Sequence, residues 1–323
     1  MILLTSICAK LTATWFFKMP ADSTIQYIRN SNIDKKKWDA CIDNASNGLV
    51  YAYSFYLDCM SKNWDALVLN DYEAVMPLTW NKKYGISYLY QPPFIAMAGI
   101  FGKNLTTDIT ESFINSIPAQ FRLIEISLNH GNVVTGKETL TLNNYVLNLR
   151  KPYNAIYDNY RENIKRNIKK SIQAGCYCKT GVPVDDVIRL NKEQLQHVLN
   201  ITDEDYSHFK KLYDFLLIRQ QAISYGIFNS KNELLASCVY FFSHNRAYYI
   251  LVGNHPDGKT LGAGHYLIDR FIADYSEREL LLDFEGSDIR NLAFFYSSFG
   301  ASLETYPALR INRLPWWMKW LRK

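Results

Sequence analysis

One stretch, residues 248–266 (YYILVGNHPDGKTLGAGHY), constrains this chain more than any other. An apolar β-rich run at 248–252 enters a turn-rich segment holding Gly258, Gly262 and Gly264, and an apolar-periodic run at 267–275 leaves it. The order predicts strand, glycine loop, helix. Glycines in such a loop let backbone N–H groups converge on an anion, and the first turn of the helix adds unpaired donors and a positive dipole end. The same glycines also suit a tight turn and close helix–strand packing, so two readings stand. The spacing excludes one nucleotide signature: nothing after Gly264 completes G-x-G-x-x-G.

With 323 residues the chain has room for two domains, and 48% hydrophobic with 21% charged residues is a globular balance. A net charge of +5 permits anionic substrates without marking a nucleic-acid protein. The cysteines (Cys8, Cys41, Cys59, Cys176, Cys178, Cys238) show neither zinc spacing nor a disulfide framework, which fits a reduced cytoplasm. Residues 1–19 carry an apolar patch at 11–17 without a basic n-region. They are set apart as an N-terminal extension, with Met19 a second candidate start. No run of eighteen apolar residues predicts a membrane span.

Residues 20–150 read as a first α/β unit, with helices at 34–44 and 51–62, strands at 64–69, 74–80 and 86–90, a helix at 107–117, and strands at 123–128 and 145–149 that close it. Gln91-Pro-Pro-Phe94 cannot lie inside a central strand, because neither proline donates to a ladder. Tyr88, Tyr90, Phe94 and Phe101 around it suit either a pocket or a core. A second unit spans 151–312. It opens on a basic helix, 156–174, in which Arg161, Lys165 and Lys169 recur every four residues beside Arg166 and Lys170. Such a row repels itself, so it suits an anionic ligand or a solvated face. A helix at 203–220 follows, then a meander of strands at 222–228, 234–242 and 246–252, the glycine segment, a strand at 279–285, a helix at 289–299 and a strand at 302–311. The tail, 313–323, puts three tryptophans among basic residues and suits either docking on the body or an anionic membrane surface.

In the strand at 279–285, alternation puts Asp283 and Glu285 on one face, where a carboxylate can take a proton from an amine. Ion pairing is the competing role. The chain has no H-E-x-x-H or G-x-S-x-G, and His130, His197, His208, His244, His255 and His265 lack metal-ligand spacing, so no metal is expected.

The order of elements and two motifs resemble the GNAT acyltransferase fold. Lys259-Thr-Leu261-Gly262-Ala263-Gly264 is similar to the family's Q/R-x-x-G-x-G/A signature for the acyl-CoA pyrophosphate, with Lys259 in place of Gln or Arg. Tyr296-Ser-Ser-Phe-Gly300 resembles its Tyr-x-x-x-Gly, where the tyrosine serves as general acid. Asn163 to Lys170, Asp283 to Ser287 and Asn291 to Tyr296 look like the Fem-type branch, which carries two GNAT-like units in tandem. The resemblance implies an α/β (α+β) fold of two units, each a mixed, mostly antiparallel sheet flanked by helices. It also implies an acyltransferase moving an acyl group from acetyl-CoA or another acyl-CoA to an amine, with Glu285, Tyr296 and Asp283 as catalytic candidates. The donor would lie along Leu251, Val252, Lys259, Leu261, Gly262, Ala263, Gly264 and Asn291. The acceptor would enter near Gln91 and Phe94, with Lys165 and Lys169 holding an anionic group. Two alternatives stay open: an aminoacyl-tRNA-dependent transferase acting on a cell-envelope precursor, and a non-catalytic GNAT-like binding protein. The expected setting is cytoplasmic or peripheral to a membrane.

Overall fold

The computed structural model describes residues 24–136, 138–195, 201–286 and 288–318. The N-terminal extension, His197 and the basic end of the tail lie outside the described residues.

The first unit runs β1 (Ile25–Ile28), α1 (Lys35–Asn44), α2 (Ser54–Met60), β2 (Trp64–Leu69), β3 (Ala74–Lys83), β4 (Ile86–Leu89), β5 (Phe101–Gly102), α3 (Thr107–Asn115), β6 (Phe121–Ser127) and β7 (Thr139–Asn148). The second runs α4 (Tyr153–Asp158), α5 (Glu162–Gln173), β8 (Tyr177–Thr180), α6 (Val184–Leu195), α7 (Asp203–Ile218), β9 (Ala222–Phe228), β10 (Leu234–Ser243), β11 (Arg246–Asn254), α8 (Pro256–Leu261), α9 (Ala263–Tyr275), β12 (Leu281–Asp283), α10 (Arg290–Ser297) and β13 (Ser302–Asn312). Side chains set several of the helix starts: Asp34 accepts from the N–H groups of Lys36 and Lys37, Thr106 from that of Ile109, and Thr202 and Asp205 form a capping box on α7. The helix expected at 51–62 is a 3-10 turn, Val50–Ala52, followed by the shorter α2.

The strands form one sheet in the order β1-β2-β3-β4-β6-β13-β7-β12-β11-β10-β9-β8, with β5 beside β3. Its parallel pairs are β4 with β6 and β11 with β12. Each is bridged by helices, α3 in the first unit and α8–α9 in the second, as a parallel crossover requires. The two units therefore repeat one plan. Their last strands are exchanged: β7 pairs with β12 and β13, and β13 pairs with β6. The strand expected to close the first unit at 145–149 is thus built into the second, and the chain's last strand is built into the first. The exchange fuses the two units into a continuous sheet.

Among the described residues the buried apolar side chains separate into three cores. One packs α1, α2, α6 and α7 onto the sheet, with Trp38, Tyr56, Phe209, Phe241 and Tyr248 buried in it. A second lies under α5, α9 and α10 around Tyr240, Phe271, Phe284 and Tyr296. The third closes the first unit under α3 around Phe113 and Phe121.

Candidate active site

Strands β11 and β12 pair over three residues: Arg246 with Leu281, Ala247 with Leu282, and Tyr248 with Asp283. Beyond that point β11 continues beside β10 to Asn254, whereas β12 has ended, so the parallel pair parts into a wedge. A bulge sharpens it. Tyr249 lies opposite Tyr240 and Leu251 opposite Val239, leaving Ile250 as the extra residue on β11. The bulge shifts the alternation of faces, so Tyr248 and Leu251 join the same core while Tyr249 faces the other.

One side of the wedge is aromatic. The rings of Phe284 and Tyr296 stack 4.6 Å apart, and Tyr249 meets both edge-on at 6.1 and 6.5 Å. On the other side stands Glu285. Its backbone adopts a left-handed conformation, φ +62°, unusual for a residue with a side chain. Two neighbours hold that turn: the Asp283 carboxylate accepts the Glu285 N–H at 2.8 Å, and the Asn144 side-chain oxygen accepts the Gly286 N–H at 2.6 Å. Asn144 also donates to Asp283 at 3.0 Å and to Glu304 at 3.2 Å. The buried Arg246 guanidinium completes the arrangement, at 2.5 Å from Asp283 and 2.7 Å from Glu304.

The Glu285 carboxylate accepts a hydrogen bond from the hydroxyl of Tyr51, a residue of the first unit. Tyr51 is itself wedged edge-on against Tyr56 at 5.5 Å and Tyr248 at 5.2 Å. Burial pushes the Glu285 carboxyl well above its ordinary range; the Tyr51 bond pulls it back, and the Asp283 charge adds to the rise. Burial, with the Glu285 charge beside it, also raises Tyr296 beyond the ordinary tyrosine range, so that its hydroxyl keeps its proton at neutral pH. The wedge therefore holds a carboxylate tuned towards accepting a proton beside a phenol that stays protonated.

The glycine segment is not an open loop. Residues 256–261 form α8, Gly262 turns the chain at φ +77°, and α9 begins at Ala263, four residues before the apolar periodicity indicates. Gly258 and Gly262 both allow close approach: a Cβ at Gly258 would meet the Leu235 carbonyl oxygen at 2.1 Å, and one at Gly262 the Asn167 carbonyl oxygen at 2.6 Å. The packing reading of these two glycines is thus realised. It leaves the anion reading of α9 in place, because no side chain caps the start of that helix. The basic helix α5 lies against this turn, and the Lys170 ammonium donates to the Thr260 carbonyl at 2.8 Å. Lys259, Arg166 and Lys169 are exposed beside it.

The other expected site residues scatter. Asp283 spends its carboxylate on Arg246, Asn144 and the Glu285 N–H, which makes it a holder of the turn. Gln91 uses both ends of its amide inside the protein, on Ile95 and Ser127. Phe94, half-buried, packs on Phe209 at 4.8 Å and Tyr206 at 5.8 Å. Lys165 is tied to Glu162 and to the Asp158 carbonyl. Asn291 is exposed in the first turn of α10, Leu251 is buried, and the Val252 carbonyl accepts from Asn191 at 2.6 Å. His265 meets Phe295 edge-on at 5.0 Å, and burial lowers its pKa to about 4, so it stays neutral. Sequence reasoning missed Tyr51, Asn144 and Arg246. Only Arg246, a charged residue at the head of an otherwise apolar strand, carried a visible signal.

Residues 158–289 match the family model described as an acetyltransferase (GNAT) domain. Among solved structures the chain is similar to that of FemX, at a TM-score of 0.60 and 11% identity over 87% of this chain and 96% of that one. L-PGS from Bacillus licheniformis gives 0.50 and 11%, covering 87% and 93% of the two chains. The C-terminal domain of a putative lysylphosphatidylglycerol synthetase from Agrobacterium fabrum gives 0.52 and 8%, covering 87% and 92%. A search of curated protein sequences returns no match. Residues 158–289 thus match a GNAT-type domain, and over most of its length the chain shares the fold of these structures. The likeness to the FemX structure extends over both units.

Proposed function

We propose that the protein transfers an acyl group from acyl-CoA directly to an amine, without a covalent enzyme intermediate. The observation that carries this reading is Glu285, raised in pKa, standing where β11 and β12 part and held there by Tyr51. In the reaction the Glu285 carboxylate takes a proton from the amine, whose nitrogen attacks the acyl carbonyl carbon. The C–S bond then breaks, and the departing thiolate takes the Tyr296 proton. The CoA pyrophosphate would rest on the uncapped start of α9 at Gly262, Ala263 and Gly264, with Lys259 and the basic face of α5 beside it. The acceptor would approach from the Tyr51 side, between the units. We place the reaction in the cytoplasm.

A second reading, transfer from aminoacyl-tRNA to an envelope precursor, is favoured by the exposed row of Arg166, Lys169 and Lys170 next to that helix start. Titration calorimetry separates the two. Saturable acyl-CoA binding, weakened by Lys259→Ala and Gly264→Ala, supports the first. Tight tRNA binding that falls steeply with salt, without CoA binding, supports the second. If neither donor binds, and Glu285→Gln leaves the cellular phenotype intact, the chain is a binding protein and the catalytic reading fails.

A further inference from the structure

The first unit repeats the parallel pair of the second, and over β4 and β6 it opens a cavity of about 280 Å³. Tyr84, Ile86, Tyr88, Tyr90, Leu123 and Leu314 supply its apolar lining, with Lys83 and Glu125 at its polar edge. Two turns rim it. In the turn from β3 to β4, Tyr84 at φ +50° and Gly85 at φ +80° reverse the chain within two residues and leave the tyrosine 87% exposed. After β13, Leu314 is buried, the Met318 N–H bonds the Pro315 carbonyl at 2.9 Å, and Trp316 and Trp317 stand 83% and 58% exposed. An exposed tyrosine in the lining, and two exposed tryptophans two and three residues beyond the lining Leu314, differ from the single apolar residues scattered over any protein surface.

The charge around them is basic. Lys82 and Lys83 are exposed on the tip of β3, and Arg122 is exposed beside the second turn, its carbonyl accepting the Arg313 N–H at 2.7 Å. In sequence the chain continues past Met318 with Lys319, Arg322 and Lys323 around Trp320 and Leu321. Amphipathic rings flanked by lysine and arginine match the boundary layer of a bilayer, where the ring body meets acyl chains and the N–H or O–H stays with the headgroups. No helix among the described residues is long and apolar enough to cross a membrane.

We propose that this surface docks the protein on an anionic lipid bilayer, with Tyr84, Trp316 and Trp317 entering the headgroup layer and Lys82 and Lys83 meeting lipid phosphates. The proposal is independent of the acyl-transfer reading and fails separately from it. Flotation of the full chain with vesicles tests it, comparing phosphatidylcholine alone with phosphatidylcholine mixed with phosphatidylglycerol. The protein floats with the anionic vesicles, and its tryptophan emission shifts to the blue. Lys82→Gln and Lys83→Gln weaken partition by about fivefold per charge removed, and added salt does the same. Trp316→Ser with Trp317→Ser weakens it on the order of tenfold, while Ile218→Ser, at an equally exposed apolar residue on α7, leaves it unchanged. All these positions are exposed, so circular dichroism melts match the unsubstituted chain. Three outcomes overturn the proposal: no flotation with anionic vesicles, equal flotation of the double tryptophan variant, or equal loss on Ile218→Ser. Self-association abolished by the tryptophan changes, without vesicle binding, assigns the surface to a second copy and overturns it as well.

Discussion

The hydroxyl of Tyr51, from the first unit, donates a hydrogen bond to the carboxylate of Glu285, which stands on the second unit's β12 edge. The residue proposed as base is therefore completed from across the unit boundary. Because that hydrogen bond lowers a pKa that burial has raised, it sets how readily Glu285 ionises. A GNAT-like unit built from residues 151–312 alone would lack this donor.

Glu285→Gln removes the proton acceptor, and a loss of about 10²–10⁴-fold in kcat is expected with donor affinity kept. The pH profile gives the finer test. The acid limb of kcat/KM lies above the ordinary glutamate value of 4.5, and activity rises as pH climbs through it, because the base must be unprotonated. Tyr51→Phe shifts that limb to higher pH. A limb that stays in place shows that Tyr51 does not act through Glu285.

Tyr296→Phe should lower kcat while leaving the fold intact, because the phenylalanine ring keeps the stacking with Phe284. Thermal melts and steady-state kinetics on one preparation separate the two effects. A matching fall in stability would assign Tyr296 to the core alone.

The glycine segment yields a prediction about stability. Gly262→Ala forces a side chain into φ +77° and against the Asn167 carbonyl, a cost of about 1–3 kcal/mol. Gly258→Ala drives a Cβ onto the Leu235 carbonyl, with a cost of about 1–3 kcal/mol for overpacking. Lys259→Ala touches neither contact, so it should weaken donor binding at unchanged stability. Urea midpoints, read beside calorimetry, check all three.

The meander of β9, β10 and β11 was legible in the sequence because it rests on local signals, alternation and turn residues, whereas the basic helix expected over 156–174 is two helices, α4 and α5, and the expected glycine loop is largely α8. Helix α6 was legible in principle, since Val184, Val187, Ile188 and Asn191 repeat at helical spacing and are buried. The exchange of β7 and β13 was not. Alternation shows which face of a strand is apolar, but it carries no record of which neighbour the strand takes. For the same reason Glu285 could be picked out as a carboxylate on a strand, whereas Tyr51, which bonds it from 234 positions away, and Asn144, which accepts the neighbouring Gly286 N–H from 142 positions away, could not. The left-handed turn at Glu285 also cut the strand to three residues, so alternation no longer places Asp283 and Glu285 together.

Arg246 carries the last prediction. Its guanidinium joins Asp283 on β12 to Glu304 on β13, while Asn144 on β7 bridges the same two carboxylates. One cation thus ties together strands of both units at the seam where they were exchanged. Arg246→Met leaves two carboxylates facing each other in the interior, and a loss of about 3–5 kcal/mol is expected. The ion pair also sets an acid sensitivity. Burial alone would raise Glu304, but the Arg246 hydrogen bond and charge outweigh it and hold the carboxyl below its ordinary 4.5. A depressed folded value means stability that is fully present above 4.5 and is lost as pH falls through the lower folded value. Denaturant midpoints measured from neutral pH downward should therefore fall more steeply for the natural protein than for an Arg246→Met, Asp283→Leu, Glu304→Leu variant. That triple change removes charge and partners together and should recover much of the stability lost by Arg246→Met alone. It should also free the Glu285 N–H from its acceptor and loosen the turn, so that stability returns without activity. Recovery of both would show that the turn at Glu285 does not depend on the ion pair beneath it.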